Sequence, residues 1–242
     1  MKAVLFDLDG TLLDIDMEFF LKKYFEKMVG MARNYGVEKA ETLVERLWRA
    51  TEAMIKDKDP QRTNMEVFEE NFFRDYHHPQ EMMLPFFEQF YARGFGELHG
   101  HCQPFPEIRT IMEKVFNRGY QVVIATNPVF PLNALEQRLC WAEVGDFPYE
   151  LITSYEVMHY TKPHTEYYEE VLEFLGLNPE DCIMVGNDVG EDLTARKAGI
   201  KTFLVKDRLL NPHDLPITAD WEGYLPDLVQ FIDELPSLAE NK

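Results

Sequence analysis

The stretch AVLFDLDGT, residues 3–11, places two carboxylates directly after an apolar run. The apolar run predicts a buried β-strand, and the Gly-Thr pair predicts that the strand ends in a sharp turn. Because side chains alternate along a strand, Asp7 and Asp9 point to the same side, roughly 6.5–7 Å apart at their Cα atoms. Such a pair is stable if the strand end is open to water, if one carboxyl is protonated, or if a cation neutralises both. The rest of the chain decides between a solvated turn and a functional site.

Beyond this strand, from residue 16 to about residue 95, the sequence predicts helices only. Segments of this region repeat apolar residues at spacings of three and four, which is the period of a helix. The expected core face of the first helix consists of Phe19, Phe20, Tyr24, Phe25 and Met28. The region therefore reads as an all-helical insertion after the first strand.

After about residue 104, helices and apolar strands alternate. A helix is predicted over 106–119, and apolar runs ending in polar residues occupy 121–127, 149–156, 181–188 and 201–207. Unbroken apolar strands that alternate with helices indicate a parallel sheet covered on both faces, to which the first strand (residues 2–7) also belongs. We therefore predict an α/β fold with a Rossmann-like, doubly wound core of residues 1–14 and 104–242. Residues 15–103 are predicted to form the inserted helical domain.

Composition limits the partners and the compartment. The 242 residues carry 24 basic and 43 acidic side chains, a formal net charge of −19. This charge repels nucleic acid and anionic membrane surfaces, so neither is expected as a partner, and no protein partner is evident. The 3 widely spaced cysteines indicate neither a disulfide framework nor a zinc site. Asp7 and Asp9 interrupt the N-terminal apolar run before it is long enough for the core of a signal peptide or a membrane span. The cysteines and this interruption together favour a location in the reducing cytoplasm.

Polar side chains gather where the predicted strands end, and ligand sites of open parallel sheets form outside those ends. The residues are Asp7, Asp9, Thr126, Asn127, Lys162, Asp188 and Asp192. Taken singly, each could be a helix cap or a solvated charge. Taken together, the carboxylates suit a divalent cation such as Mg²⁺, and the lysine and hydroxyl suit phosphoryl oxygens. The sequence therefore predicts a site for phosphoryl transfer.

The segments that carry these residues resemble the four motifs of the haloacid dehalogenase superfamily, in the usual order. They are DLDGT at 7–11, Thr126 in VVIATN, Lys162 in TKPHTEYY, and Asp188 with Asp192 in VGNDVGED. The likeness spans roughly residues 1–14 and 104–235. The helical insertion is similar to the family's C1 cap, which closes over the site and selects the substrate.

This resemblance implies a catalytic role for both acids of the first motif. Asp7 would be the nucleophile that forms an aspartyl-phosphate. Asp9 would protonate the leaving oxygen and later take a proton from water. Magnesium would be held by Asp7, the backbone carbonyl of Asp9, and Asp188.

The other motifs supply the implied phosphoryl site. Thr126 and the amide of the neighbouring Asn127 would bind the phosphoryl group. Lys162 would neutralise its charge, and Asp192 would orient Lys162 or a metal-bound water.

The fourth motif departs from the family pattern, which commonly has Gly directly before the metal-binding Asp and a second Asp four or five residues later. Here the order is Gly186, Asn187, Asp188. The four-residue spacing to Asp192 favours Asp188 as the ligand. A five-residue alignment would place Asn187 there, and Asn can ligate only through a neutral carbonyl.

The main functional hypothesis is a magnesium-dependent phosphatase that acts on a small phosphorylated metabolite. A dehalogenase of the same superfamily lacks the second acid, so Asp9 argues against that activity. A β-phosphoglucomutase-like isomerase keeps both acids and stays open as an alternative. A non-catalytic binding protein usually loses a motif residue, and none is clearly lost here. Charged cap residues that could contact a substrate, each expected at the surface, are Asp16, Lys22, Lys23, Arg49 and Arg62.

Overall fold

The computed structural model describes residues 1–239 and is built around a six-stranded sheet. The strands are β1 (Ala3–Phe6), β2 (Leu13–Ile15), β3 (Cys102–Pro104), β4 (Gln121–Ile124), β5 (Leu151–Ile152), β6 (Cys182–Gly186), β7 (Lys201–Val205) and β8 (Trp221–Gly223). The large sheet has the order β5-β4-β1-β6-β7-β8, and all its neighbouring strands are parallel. The predicted core reaches residue 242, and residues 240–242 lie outside the described part.

Helices connect the strands. The α-helices of residues 1–239 are α1 (Met17–Tyr35), α2 (Thr42–Lys56), α3 (Asn64–Phe73), α4 (Gln80–Gln89), α5 (Ile108–Asn117), α6 (Leu132–Trp141), α7 (Thr165–Leu175) and α8 (Leu225–Glu234). A π-helical turn at Phe90–Gly94 and a 3₁₀ helix at Phe95–His101 lead into β3. Two further 3₁₀ helices of residues 1–239, Pro179–Asp181 and Asp192–Ala198, precede and follow β6. Among the helices of this described part, none has the apolar run that crossing a bilayer requires.

The two faces of the large sheet are covered by different helices, because alternate residues of each strand point to opposite sides. On one face, Phe6 of β1 belongs to the same buried cluster as Ile111 of α5 and Leu228 of α8. On the other face, Leu5 belongs to a cluster with Val171 of α7. The predicted α/β fold with a doubly wound parallel sheet is thereby confirmed.

The helices α1 to α4 lie between β2 and β3 in the chain. Helix α1 begins where the Asp16 side chain accepts a hydrogen bond from the Phe19 backbone N–H at 3.0 Å, and it ends at Gly36, whose φ is +89°. Strands β2 and β3 pair antiparallel, with Leu13 opposite Pro104, so the two ends of the helical region lie side by side. The domain boundaries at residues 14, 15, 103 and 104 stay a prediction.

The predicted core face of α1 is wrong at one position. Phe20, Tyr24 and Met28 are buried, whereas Phe19 is 45% exposed and packs edge-on against His101. Each residue advances a helix by about 100°, since a turn takes 3.6 residues. Phe19 therefore lies one step around the helix from the stripe formed by the four-residue repeat.

The strands are shorter than the apolar patterns predict. Strand β5 comprises only Leu151–Ile152 of the predicted 149–156, because the polar residues at the ends of each run leave the sheet. The three-residue strands β2, β3 and β8 are not predicted, since they are too short to show a period. The sequence before Pro163 predicts Lys162 at the start of a helix, and the structure places it instead in the loop before α7.

Candidate active site

A buried lysine joins two of the predicted carboxylates. Asp7 directly follows β1, Asp192 opens the 3₁₀ helix after β6, and Lys162 lies before α7. The Nζ atom of Lys162 lies 3.0 Å from Asp7 Oδ1 and 2.5 Å from Asp192 Oδ1. All three residues are buried, and Lys162 is only 1% exposed. Separating Asp7 from Lys162 would leave a buried carboxylate without its partner charge. The ion pair therefore holds the Asp7 side chain in one orientation.

Burial and charge together determine the protonation of this cluster. Burial raises the pKa of the Asp7 carboxyl, because the charged form loses its water, and the charge of Lys162 opposes that rise. Burial alone would lower the pKa of Lys162. The attraction of Asp192 and Asp7 outweighs burial and holds the pKa of Lys162 well above its ordinary value. Lys162 is therefore a fixed positive charge beside Asp7.

The loop after β6 places Asp188 next to the cluster. Asp192 Oδ2 accepts a hydrogen bond from the Asp188 backbone N–H at 2.8 Å. Asp188 Oδ1 accepts hydrogen bonds from the backbone N–H groups of Gly190 at 2.7 Å and Glu191 at 2.9 Å. A Cβ on Gly186 would lie 2.1 Å from Asp192 Oδ2, so this close approach requires glycine at the end of β6.

Asn187 makes structural hydrogen bonds. Its Oδ1 accepts a hydrogen bond from the Thr11 hydroxyl at 2.9 Å, and its Nδ2 donates to the Arg208 carbonyl at 2.6 Å. Asn187 is 1% exposed, and both of its polar groups have protein partners. The geometry therefore favours Asp188 over Asn187 as the residue available to a cation.

Hydrogen bonds to the backbone of Thr126 fix the segment that directly follows β4. The Thr126 carbonyl accepts hydrogen bonds from the hydroxyls of Thr153 at 2.7 Å and Tyr167 at 2.9 Å. The side-chain amide of Asn127 donates to Glu191 Oε1 at 2.9 Å. Burial raises the pKa of Glu191 to about 7. Glu191 thus belongs to the site although it is not among the predicted site residues, and its only sequence signal is its position inside the fourth motif.

Arg138 is a second site residue that is not among the predicted ones. It is fully buried on α6, and its Nη1 donates a hydrogen bond to Asp9 Oδ2. Its guanidinium lies over the Phe130 ring, 4.4 Å from the ring centroid. A signal for Arg138 does exist: it follows buried Ala134 by four residues and buried Leu135 by three, so a charge lies on the apolar face of α6.

A cavity of about 380 Å³ lies between the carboxyl edge of the sheet and the helical region. The predicted residues that line it are Asp7, Asp9, Thr126, Asn127 and Asp188. Lys162 and Asp192 do not line the cavity but lie behind it, where Lys162 contacts Asp7 and Asp192 accepts the hydrogen bond from the Asp188 backbone N–H. The charged cap candidates Asp16, Lys22, Lys23, Arg49 and Arg62 do not line the cavity. The structure therefore brings all seven predicted site residues to one edge of the sheet.

A family model described as haloacid dehalogenase-like hydrolase matches residues 1–199. This chain belongs to the haloacid dehalogenase-like hydrolases. The family membership and the hydrolase class predicted from the four motifs are confirmed by this match.

Curated relatives of this hydrolase are named as phosphatases. It is 28% identical over 153 residues to the pyrophosphatase PpaX of Bacillus cereus, and the alignment covers 61% of this chain and 66% of the relative. It is 32% identical over 110 residues to the glyceraldehyde 3-phosphate phosphatase of Methanothermobacter thermautotrophicus, covering 44% and 46%. It is 24% identical over 206 residues to the phosphoglycolate phosphatase of Aquifex aeolicus, covering 84% of each. The first two matches span less than two thirds of the relative's own length.

Solved structures share the fold of this hydrolase at low sequence identity. A HAD phosphatase from Thermococcus onnurineus is 21% identical with a TM-score of 0.59, and the alignment covers 98% of this chain and 100% of the other. The L-2-haloacid dehalogenase from Xanthobacter autotrophicus is 18% identical with a TM-score of 0.55, covering 97% and 99%. Because both reaction classes occur among these neighbours, the likeness shows the fold alone.

The oxygen donors of the hydrolase fit a magnesium ion. Within residues 1–239, no three His, Cys, Asp or Glu side chains are grouped as a metal site. Magnesium does not require such a group, since it keeps several waters and binds through one or two carboxylates. Asp7, Asp188 and the carbonyl of Asp9 offer hard oxygens of that kind. A cation there would also favour the charged form of Asp7, whose pKa burial raises.

Proposed function

We propose that this hydrolase is a magnesium-dependent phosphatase that acts on a small phosphorylated metabolite through an aspartyl-phosphate on Asp7. The observation that carries the proposal is the buried Lys162, which holds Asp7 Oδ1 while Asp7 lines the cavity. Among the hydrogen bonds of the described residues, none engages Asp7 Oδ2. A nucleophile needs a fixed orientation and a free oxygen, and Asp7 has both. The phosphatase names of the relatives support the same reaction class.

Two steps describe the proposed reaction. In the first, Asp7 Oδ2 attacks phosphorus and the bond from phosphorus to the ester oxygen breaks, while Asp9 gives its proton to the departing oxygen. In the second, Asp9 takes a proton from water as the water oxygen attacks phosphorus. The bond from phosphorus to Asp7 Oδ2 then breaks, which releases inorganic phosphate and restores both carboxyl groups.

The other site residues bind and position the phosphoryl group. Thr126 and the Asn127 amide are proposed to hold its oxygens, and Lys162 offsets its charge. Asp192 positions Lys162 through the 2.5 Å contact described above. Asp7, Asp188 and the Asp9 carbonyl would hold magnesium, which when bound offsets negative charge between Asp7 and the phosphoryl group.

The test of this proposal is phosphate release by the purified full-length chain, supplied with Mg²⁺, from a panel of phosphorylated metabolites. The Asp7→Asn protein, prepared in parallel, is the blank for contaminating phosphatases. Release that depends on Asp7 supports the proposal, and no release from any compound overturns it. With a sugar phosphate, product analysis separates hydrolysis, which yields inorganic phosphate, from isomerisation, which yields a new phosphosugar.

Removal of magnesium should abolish turnover and leave the chain folded. The proposed ligands lie at the edge of the cavity, whereas buried apolar clusters on both faces of the sheet hold the fold. Activity and circular dichroism are measured after exhaustive chelation and again after Mg²⁺ is restored. Zinc, which prefers nitrogen and sulfur ligands, should restore activity poorly. Full activity of protein shown by metal analysis to be metal-free would contradict the proposed cation.

Arg138 should act as a positioning residue for Asp9. Arg138→Met keeps an extended side chain on the apolar face of α6 and removes the hydrogen bond to Asp9. We expect kcat with an alkyl phosphate to fall by about tenfold or more. In the Asp9→Asn background the same change should alter kcat by less than about twofold, because no acid is left to position. Independent, additive losses in the double variant would contradict this role. Thermal unfolding confirms that each variant is folded.

We also infer a cytoplasmic location. The free cysteines are the half-buried Cys102, the exposed Cys140 and the buried Cys182. An exposed free thiol is compatible with a reducing compartment, where disulfides are rare. The binding partner that we propose for this hydrolase is its substrate, a small phosphorylated metabolite.

A further inference from the structure

The cap side of the cavity is apolar and largely aromatic. The aromatic side chains of its wall include Phe25, Trp48, Phe68, Phe73 and Phe87 of helices α1 to α4, and the ring of Phe130, from the loop before α6, adds to this wall. None of these rings is fully buried, and Trp48 is 50% exposed. Water next to these rings is released when an apolar molecule covers them, and that release favours binding. The wall is thus suited to the apolar part of a substrate.

The charge of the cavity has one sign. Among the described residues that line it, none is a lysine, arginine or histidine, whereas five are carboxylates. Asp7, Asp9, Asp188 and Glu191 lie at the phosphoryl end, where Lys162 and the proposed magnesium offset them. Glu69 of α3 also lines the cavity, and no lining cation offsets it. A second negative charge on the substrate would meet repulsion from Glu69 there.

We propose that the substrate of this hydrolase is a phosphate monoester whose leaving alcohol is uncharged and predominantly apolar, either alkyl or aromatic. This inference rests on the proposed phosphatase function, which accounts for the phosphoryl end of the cavity. The aromatic wall binds the alcohol portion, and the carboxylates exclude substrates with a second anionic group. A volume of about 380 Å³ is within the range of small-molecule sites.

The first test is a series of n-alkyl phosphates from ethyl to hexyl. Their alkoxide leaving groups have nearly the same basicity, so differences in kcat/KM report binding of the chain rather than intrinsic reactivity. Each buried CH₂ should raise kcat/KM by a factor of about four. We expect hexyl phosphate to exceed ethyl phosphate by at least about tenfold. Phosphoglycolate and pyrophosphate, which carry a second anion, should fall at least about tenfold below hexyl phosphate.

Paired variants assign the preference to the wall. Trp48→Ala should lower kcat/KM for hexyl phosphate by about fivefold or more and leave ethyl phosphate within about twofold, because a two-carbon chain has little apolar surface to bury against the ring. Phe174→Ala is the matched control, because Phe174 is also an exposed aromatic residue, at 59%, but does not line the cavity. An equal change in both variants would contradict the assignment to the aromatic wall.

A second pair tests the charge. Glu69→Gln should raise kcat/KM for phosphoglycolate relative to hexyl phosphate by about threefold or more, because it removes the repelling carboxylate at the cap end. Glu173→Gln makes the same change of net charge at an exposed position of α7 outside the cavity, and it should leave this ratio unchanged. Equal ratios in the two variants would show that the cavity carboxylate does not select against anions.

Binding separates failure of this inference from failure of the proposed function. Ethyl-, butyl- and hexylphosphonate resist hydrolysis, so calorimetry with Mg²⁺ measures their affinity whether or not the protein turns over a phosphate ester. Affinity that rises with chain length supports the apolar substrate class even if no ester is hydrolysed, in which case only the proposed phosphatase function fails. Affinity independent of chain length, or a preference for phosphoglycolate over hexyl phosphate in a protein that does release phosphate, overturns the inference.

Discussion

Asp7→Asn and Asp7→Ala should each abolish turnover and leave the chain folded. Neither side chain can attack phosphorus, and removal of a catalytic nucleophile typically lowers kcat by more than about 10⁴-fold. The fold should survive because Lys162 keeps its contact with Asp192 Oδ1 at 2.5 Å and so is not left as an unpaired buried charge. Phosphate release and thermal unfolding of both variants test these two expectations.

A control for the Asp7 variants is Asp181→Asn. Asp181 pairs with Lys2 at 2.8 Å at the opposite end of the sheet from the cavity, so this change alters the net charge equally without touching the site. It should leave activity within about twofold. Phosphatase activity in Asp7→Ala protein free of contaminating enzymes would contradict covalent catalysis by Asp7.

Asp9→Asn should slow hydrolysis of an alkyl phosphate far more than hydrolysis of an aryl phosphate. An alkoxide leaves poorly without a proton, so the alkyl substrate should lose the roughly 10²–10⁴-fold typical of general acid catalysis. A phenolate is already a stable anion and needs little help to depart. The later attack of water still lacks its base, so aspartyl-phosphate on Asp7 should accumulate from the aryl substrate.

Single-turnover rates for both substrate types, in wild-type and Asp9→Asn protein, measure this difference. The contact from Arg138 strengthens the expectation, because it holds the Asp9 carboxyl in one place beside the cavity. If Asp9 were only a solvated residue of the turn, the effects on the two substrates would be small and nearly equal. That outcome would exclude Asp9 as the general acid.

The arrangement of the sheet could be predicted because its signals are local and strong. The fully buried run of β1 and the polar residues after each strand are legible in the sequence, and parallel strands necessarily bring those ends to one edge. The β2–β3 pair and β8 could not be predicted, since a strand of three residues shows no period and depends on its partner for stability. The prediction that Phe19 lies on the core face is wrong because an aromatic residue beside a buried stripe looks the same in sequence as one within it.

Some residues of the candidate site could be predicted from local sequence motifs, whereas others could be found only from contacts in the folded chain. Lys162 and Asp192 are predicted from motifs, and the structure places both in contact with each other. Arg138 and Glu191 were not predicted, because their roles depend on contacts with Asp9 and Asn127 that only the folded chain creates. The aromatic wall of the cavity likewise combines four helices and a loop, so no single helix pattern reveals it.

Direct trapping of the phosphorylated protein tests the central claim, that Asp7 is the nucleophile of a phosphatase. Asp9→Asn protein with Mg²⁺ is mixed with an aryl phosphate and quenched in acid, and borohydride then converts a phosphorylated aspartate into homoserine. Tryptic cleavage after Lys2 and Lys22 isolates a peptide that contains Asp7. The account predicts homoserine at position 7, and none when Asp7 is also replaced by Asn. Homoserine at another aspartate, or rapid phosphate release with Asp7 unmodified at every quench time, would contradict it.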